Sequence, residues 1–284
     1  MPQKIFSFGG TVGNPVINVA PANGFVPETY IPMMRSFLDS YQAVSLLPRT
    51  LWGDRLPPEV TPTSDWGWIG EDLLAGIQRH EIQNLIAIGH SSGGIGTLLA
   101  ALQEPQHFRA LILLDPVIPT RKQCQMMAQV KSAGTADQLP LTQMALRRRS
   151  SFESIEEAYQ RFRGKGLFAD WPDEAVRLYA EYGTQSSENG VRSLTWPPEW
   201  EAYIFSTVHT QIWDLLPRVQ DLGIPLLIAS GGSSDTFIPE AIEDVRELIP
   251  RATYRSIEGH GHLFPQSAPA ETAAMVAEWL DSIP

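Results

Sequence analysis

Leu85-Ile86-Ala87-Ile88-Gly89-His90-Ser91-Ser92-Gly93-Gly94 decides how the rest of the chain is read. Four apolar residues in a row suit a strand buried on both faces, and the run stops at Gly89. From Ser92 to Gln103 the pattern becomes a helical stripe of Ile95, Leu98, Leu99 and Leu102. Between the two, Gly89-His90-Ser91-Ser92-Gly93 matches G-x-S-x-G, a serine at a strand-to-helix turn. So sharp a turn strains the serine backbone and projects its hydroxyl above the sheet, while small neighbours let strand and helix approach. The N–H of the next residue, Ser92, then faces the place where a carbonyl oxygen would become an oxyanion. A glycine-rich turn with an incidental serine is the plainer reading. The strand before it and the helix after it favour the nucleophile.

Working outward, similar apolar runs occur at 5–8, ending at Gly9-Gly10, and at 43–47, closed by Pro48. Others lie at 111–114, ending at Asp115-Pro116, and at 225–229 and 252–257. Helical patterns fall between them. Residues 64–81 carry Ile69, Leu73 and Ile77 on one face, and a helix starting near Pro239 carries Ile242, Val245, Leu248 and Ile249. A last helix over 269–281 turns Met275, Val276, Trp279 and Leu280 inward. Apolar strands separated by helices predict an α/β fold with a parallel sheet covered on both faces. The stretch 119–218 loses the strands and gains aromatics, an arginine run at Arg147-Arg148-Arg149 and a capping box at Ser154 and Glu157. It reads as a helical insertion. The expected organisation is a core of 1–118 and 219–284 with a helical cap over 119–218.

The composition sets outer limits. The 284 residues are 43% hydrophobic and 19% charged, a globular balance. The formal net charge of −11 argues against a nucleic-acid surface, which needs a basic face. One cysteine, Cys124, allows no intramolecular disulfide and no cysteine-based zinc site. No apolar run approaches a membrane span of about 18 residues, and the N-terminus lacks the pattern of a secretion signal. A soluble, cytoplasmic protein is expected.

A serine hydroxyl needs a base. Of the six histidines, His80 and His107 read as surface residues, and His90 and His209 as packing residues. His260 and His262 lie in Gly259-His260-Gly261-His262-Leu263-Phe264-Pro265, a loop between the last strand and the last helix. That loop hangs over the C-terminal edge of the sheet, where the serine turn also lies. Asp235, after the fifth strand in Gly231-Gly232-Ser233-Ser234-Asp235, is the preferred acid, and Asp115, at the end of the fourth strand, is its rival. A metal site on His260 and His262 lacks the further ligands it would need, and no cofactor is expected.

The segments IFSFGG, LIAIGHSSGG, LILLDPV, PLLIASGGSSD and IEGHGHLFPQSAP together resemble the α/β-hydrolase fold superfamily, in its serine-nucleophile, lipase- and esterase-like members with a helical cap. The resemblance spans nearly the whole chain. It implies the order Ser91, Asp235, His262 for nucleophile, acid and base, since the catalytic histidine of the family follows a glycine as His262 follows Gly261. It also implies a second oxyanion donor after the third family strand. With 5–8 taken as that strand, the donor is the N–H of Gly10 or Thr11, Thr11 being preferred, beside that of Ser92. The first two family strands are then missing, which leaves about six parallel strands and no antiparallel edge.

In the family, dehalogenases and epoxide hydrolases carry an aspartate at the elbow. Ser91 points instead to attack on an acyl carbonyl and an acyl-enzyme. The expected substrate is a small molecule with an apolar acyl part, a carboxylic ester first. The alternatives are the same triad cleaving a C–C bond, lactone, amide or thioester, or a ligand-binding receptor that performs no chemistry. Sequence gives no oligomeric state.

Overall fold

A computed structural model describes residues 4–53, 56–187 and 190–283. Seven strands form the main sheet: β1 (Ile5–Gly9), β2 (Val16–Ala20), β3 (Gln42–Leu46), β4 (Leu85–His90) and β5 (Phe108–Leu114), then, after the insertion, β9 (Leu226–Gly231) and β10 (Thr253–Ile257). Their order is β1-β3-β2-β4-β5-β9-β10. All neighbours run parallel except β1, which pairs antiparallel with β3. The central strands are buried almost throughout, Arg109 near the start of β5 being exposed, as their apolar runs require. One core cluster packs helices Gly67–Arg79 and Ser92–Gln103 on one face, and the other packs Pro269–Ser282 on the opposite face.

Two expectations change here. An antiparallel edge is present, and the strand at 5–8 is that edge. The strand that precedes β3 inside the sheet is β2, which sequence reading passed over because Asn18 interrupts its apolar run. Asn18 is tolerated in the buried centre because its Oδ1 accepts the N–H of Leu46 on β3 at 2.8 Å. The antiparallel direction of β1 sends Gly10 and Thr11 to the N-terminal edge of the parallel strands, since Gly9 pairs with Ala43 at the start of β3. The loop that takes their expected place at the C-terminal edge is Pro21-Ala22-Asn23-Gly24, after β2.

Among the described residues, the segment between β5 and β9 holds six α-helices: Arg121–Ser132, Pro140–Leu146, Ile155–Arg163, Asp173–Tyr182, Pro198–Ser206 and Ile212–Val219. It also holds a small sheet that sequence reading did not foresee, β6 (Ser151–Phe152), β7 (Thr184–Ser186) and β8 (Arg192–Leu194), in the order β6-β8-β7. Its aromatics mostly bury one another. Phe162, Phe168, Trp171 and Tyr179 stack in a chain that reaches Phe25 after β2, with centroids 4.9–5.6 Å apart. Among the described residues no helix is long and apolar enough to cross a membrane.

Candidate active site

Ser91 follows β4 directly and caps the helix Ser92–Gln103. Its φ is 57° and its ψ −123°, a region that costs a non-glycine residue about 1–3 kcal/mol. The surrounding glycines explain how the turn closes. A Cβ on Gly89 would lie 2.6 Å from Gly93 O, and one on Gly93 would lie 2.4 Å from Ala20 O. Only hydrogen fits between strand and helix at these two places.

The imidazole beside Ser91 comes from the far end of the chain. The loop after β10 brings His262 Nε2 to 2.9 Å from Ser91 Oγ. His262 Nδ1 lies 2.6 Å from Asp115 Oδ2. A carboxylate only accepts, so Nδ1 carries the proton and Nε2 is left to accept from the serine. Asp115 is fully buried and has a left-handed φ of 42°. Its carboxylate also accepts the Gly231 N–H at 2.9 Å and the Ser234 hydroxyl at 2.6 Å, so the β9 loop fixes it.

Asp235 therefore does not stand where the sequence placed it. It lies one residue beyond the serine that grips Asp115, exposed at the pocket wall, with the Thr236 hydroxyl 3.4 Å from its carboxylate. The loop after β9 meets His262 indirectly, through Ser234 and Asp115. The carboxylate on the histidine belongs to the rival, Asp115, at the end of the strand adjacent to β4. The other histidines serve elsewhere: His260 Nδ1 lies 2.8 Å from Ser267 Oγ, and His107 pairs with Glu104. Among the described residues no group of three or more His, Cys, Asp or Glu side chains is placed to hold a metal.

Gly10 and Thr11 are far from this constellation, at the other sheet edge. Asn23, in the loop after β2, lines the cavity beside Ser91. The backbone N–H groups of Asn23 and Ser92 have no partner among the described residues, and both residues line the cavity with Ser91. Sequence reading missed Asn23 because it missed β2. The available signal was the apolar run at 16–20 between Pro15 and Pro21.

The cavity beside Ser91 holds about 350 Å³. Phe25, Trp66, Val117, Ile204, Phe205 and Val208 give it an apolar wall. The arginine run divides. Arg147 and Arg149 are exposed, but Arg148 turns into the cavity wall. Arg148 Nη1 lies 2.5 Å from Glu201 Oε2, and Nη2 donates to the Tyr179 hydroxyl. Burial opposes the Arg148 charge, but Tyr179 and Glu201 outweigh it and hold the guanidinium pKa above its ordinary value. Tyr179 in turn donates to Gly24 O at 3.2 Å, and Asn23 Nδ2 donates to Glu201 O at 3.0 Å. The insertion thus grips the Asn23–Gly24 loop from above.

The profile of the alpha/beta hydrolase family matches residues 19–275. The chain belongs to the alpha/beta hydrolase family. A curated relative, the 2-(acetamidomethylene)succinate hydrolase of Mesorhizobium japonicum, is 28% identical over 216 residues, covering 74% of this chain and 69% of the relative. A crystal structure of E-2-(acetamidomethylene)succinate hydrolase superposes with a TM-score of 0.73 at 19% identity, covering 98% of this chain and 95% of that one. A thioesterase domain from the curacin biosynthetic pathway superposes with a TM-score of 0.68 at 18% identity, covering 98% and 99%. At these identities the two structures speak for the fold. Together with the family match, the relatives support a hydrolase acting on small molecules.

Proposed function

We propose that this hydrolase uses Ser91 as nucleophile, His262 as base and then acid, and Asp115 as the carboxylate that orients the imidazole. The observation that carries the reading is the 2.9 Å contact of Ser91 Oγ with His262 Nε2 at the wall of a cavity. His262 takes the hydroxyl proton as Oγ bonds to the substrate carbonyl carbon. The carbonyl π electrons move to oxygen, where the free N–H groups of Ser92 and Asn23 receive the charge. His262 returns the proton to the leaving alcohol, which departs and leaves an ester on Ser91. Water, deprotonated by His262, repeats the sequence and releases the acid.

The proposed substrate is a carboxylic ester with an uncharged, apolar acyl part. The wall is mainly apolar, and Arg148, the cation lining it, is already neutralised by Glu201. Asp235 adds a negative charge at the same wall. A carboxylate on the substrate would meet no unpaired cation there among the described residues. This separates the chain from its relative, whose name specifies a succinate. An amide is the second reading, favoured by the acetamido group in that name.

The test is a panel of p-nitrophenyl esters, the matching anilides and thioesters, run with wild-type protein and Ser91→Ala. Ester turnover that collapses by about 10⁴-fold or more in the variant supports the reading. Equal rates in both proteins reject it. Faster turnover of anilides or thioesters than of esters moves the substrate class to the second reading or to a thioester.

A further inference from the structure

By its sequence context His90 is a packing residue, yet both its ring nitrogens are engaged. His90 Nε2 lies 3.0 Å from the main-chain oxygen of His262. His90 Nδ1 lies 2.8 Å from the Tyr30 hydroxyl, and that hydroxyl accepts the Ala22 N–H at 2.9 Å. We propose that Tyr30 and His90 are positioning residues that join the loop of Asn23 to the loop of His262, holding the two in register on either side of Ser91. The inference deepens the hydrolase reading and rests on it.

The proton directions are forced. The His262 carbonyl only accepts, so His90 Nε2 carries hydrogen and donates. In a neutral ring protonated at Nε2, Nδ1 can only accept, so the Tyr30 hydroxyl hydrogen points to His90 Nδ1. The chain then reads, without a conflict, from Ala22 N–H to Tyr30 O–H to His90 Nδ1, and from His90 Nε2–H to His262 C=O. It requires a neutral His90. Burial holds the His90 pKa well below its ordinary value, the nearby His262 adding to the effect. Tyr30 and His262, with Asp115 behind it, are the titratable and charged groups that bear on His90 among the described residues.

Placement separates this chain from ordinary core satisfaction. Tyr30 and His90 are both fully buried, and the chain's two ends are main-chain groups of functional loops. Ala22 immediately precedes Asn23, whose N–H is free. His262 carries the base. The strands that launch these loops, β2 and β10, are not neighbours, since β4, β5 and β9 lie between them. The ring of His90, at the end of β4 and 5.2 Å from the His262 ring between centroids, bridges that gap beneath the nucleophile. A shift at either end would change the distance between oxyanion donor and base without emptying the substrate pocket. Loss of the chain therefore acts on the rate of acylation and leaves substrate binding nearly intact.

Three variants test this. Tyr30→Phe removes the linking oxygen, His90→Leu removes both ring nitrogens, and His90→Gln places an amide donor where Nε2 stands. Tyr30→Phe and His90→Leu are each expected to lower kcat about 10- to 100-fold, as small misplacements do, with KM changed by less than about twofold. His90→Gln should recover most of the His90→Leu loss. The double variant Tyr30→Phe/His90→Leu should be little worse than His90→Leu, because one chain is being cut twice. Proton NMR gives a readout independent of turnover. Tyr30→Phe should shift the His262 Nδ1 proton, and His90→Leu should speed exchange of the Ala22 amide. If folded Tyr30→Phe leaves the His262 proton and kcat unchanged, the proposal is overturned, and Tyr30→Phe carries the test if His90→Leu does not fold. If wild-type Ser91 proves inert to a fluorophosphonate, the hydrolase reading falls, while the NMR arm still decides whether the two loops are joined.

Discussion

Ser91 and His262 stand 171 positions apart in the chain and 2.9 Å apart in space. The contact exists because two unrelated turns end at the same sheet edge. One is the cramped bend after β4, the other the loop after β10. Asp115 completes the line from the strand between them, at the end of β5.

The two aspartates should separate cleanly on substitution. Asp115→Asn puts an amide against His262 Nδ1 and favours the wrong tautomer. It is expected to lower kcat by about 10⁴-fold, as in other triads so altered. Asp235→Asn should leave kcat within about threefold, since it touches no reacting group. Equal losses in the two variants would return Asp235 to the catalytic line.

How much of this could be read beforehand differs by element. The elbow was legible because it is local: strand, G-x-S-x-G and helix are contiguous, and the strained φ of Ser91 follows from them. His262 was legible because a loop after the last strand must overhang the same edge. The carboxylate beside His262 was not, since loops after β5 and β9 both end there and only packing decides which carboxylate reaches the ring. Ser234 sits on Asp115 and so turns the Asp235 loop away from His262. The oxyanion loop was lost for one residue's sake. Asn18 breaks the apolar pattern of β2, and its bond to Leu46 is visible only once β3 lies alongside.

Glycine-to-alanine changes at the elbow are expected to be destabilising well beyond their effect on propensity. A methyl on Gly93 would meet backbone at Ala20 and Pro21, which cannot step aside as a side chain can. Gly93→Ala and Gly89→Ala should each cost about 1–3 kcal/mol or more, read as a fall in the urea midpoint at unchanged m. An unchanged midpoint would mean that the turn has more room than its contacts indicate.

Acid should weaken the fold through His90. Burial keeps its folded-state pKa below the ordinary value of 6.5, so the unfolded chain binds more protons as pH falls. Stability is fully present above about pH 6.5 and is lost as pH drops below it, by at most about 1.4 kcal/mol per pH unit for this one group. His209, depressed by burial in the same way, adds in the same direction. Urea midpoints of wild type and His90→Gln between pH 7.5 and 5 check this, and the variant should show the shallower decline. Parallel declines would remove His90 as a source.

Charge at the cavity wall should set acyl preference. Wild-type protein is expected to cleave a p-nitrophenyl butyrate about tenfold or more faster, in kcat/KM, than the hemisuccinate of similar length, as an unpaired anion would meet repulsion from Asp235 and gain nothing from Arg148, already paired with Glu201. Glu201→Gln keeps the hydrogen-bonding shape and leaves Arg148 unneutralised. It should narrow the ratio by raising hemisuccinate turnover. A wild-type preference for the hemisuccinate would reverse the proposed substrate charge.

The central claim is that His262 makes the Ser91 hydroxyl reactive. A fluorophosphonate probe, with the labelled peptide mapped by mass spectrometry, addresses it most directly. The expected result is one label per chain, on Ser91, formed within minutes in wild type and lost in folded His262→Ala. A folded wild-type protein that stays unlabelled over hours, or that labels as fast without His262, would contradict it.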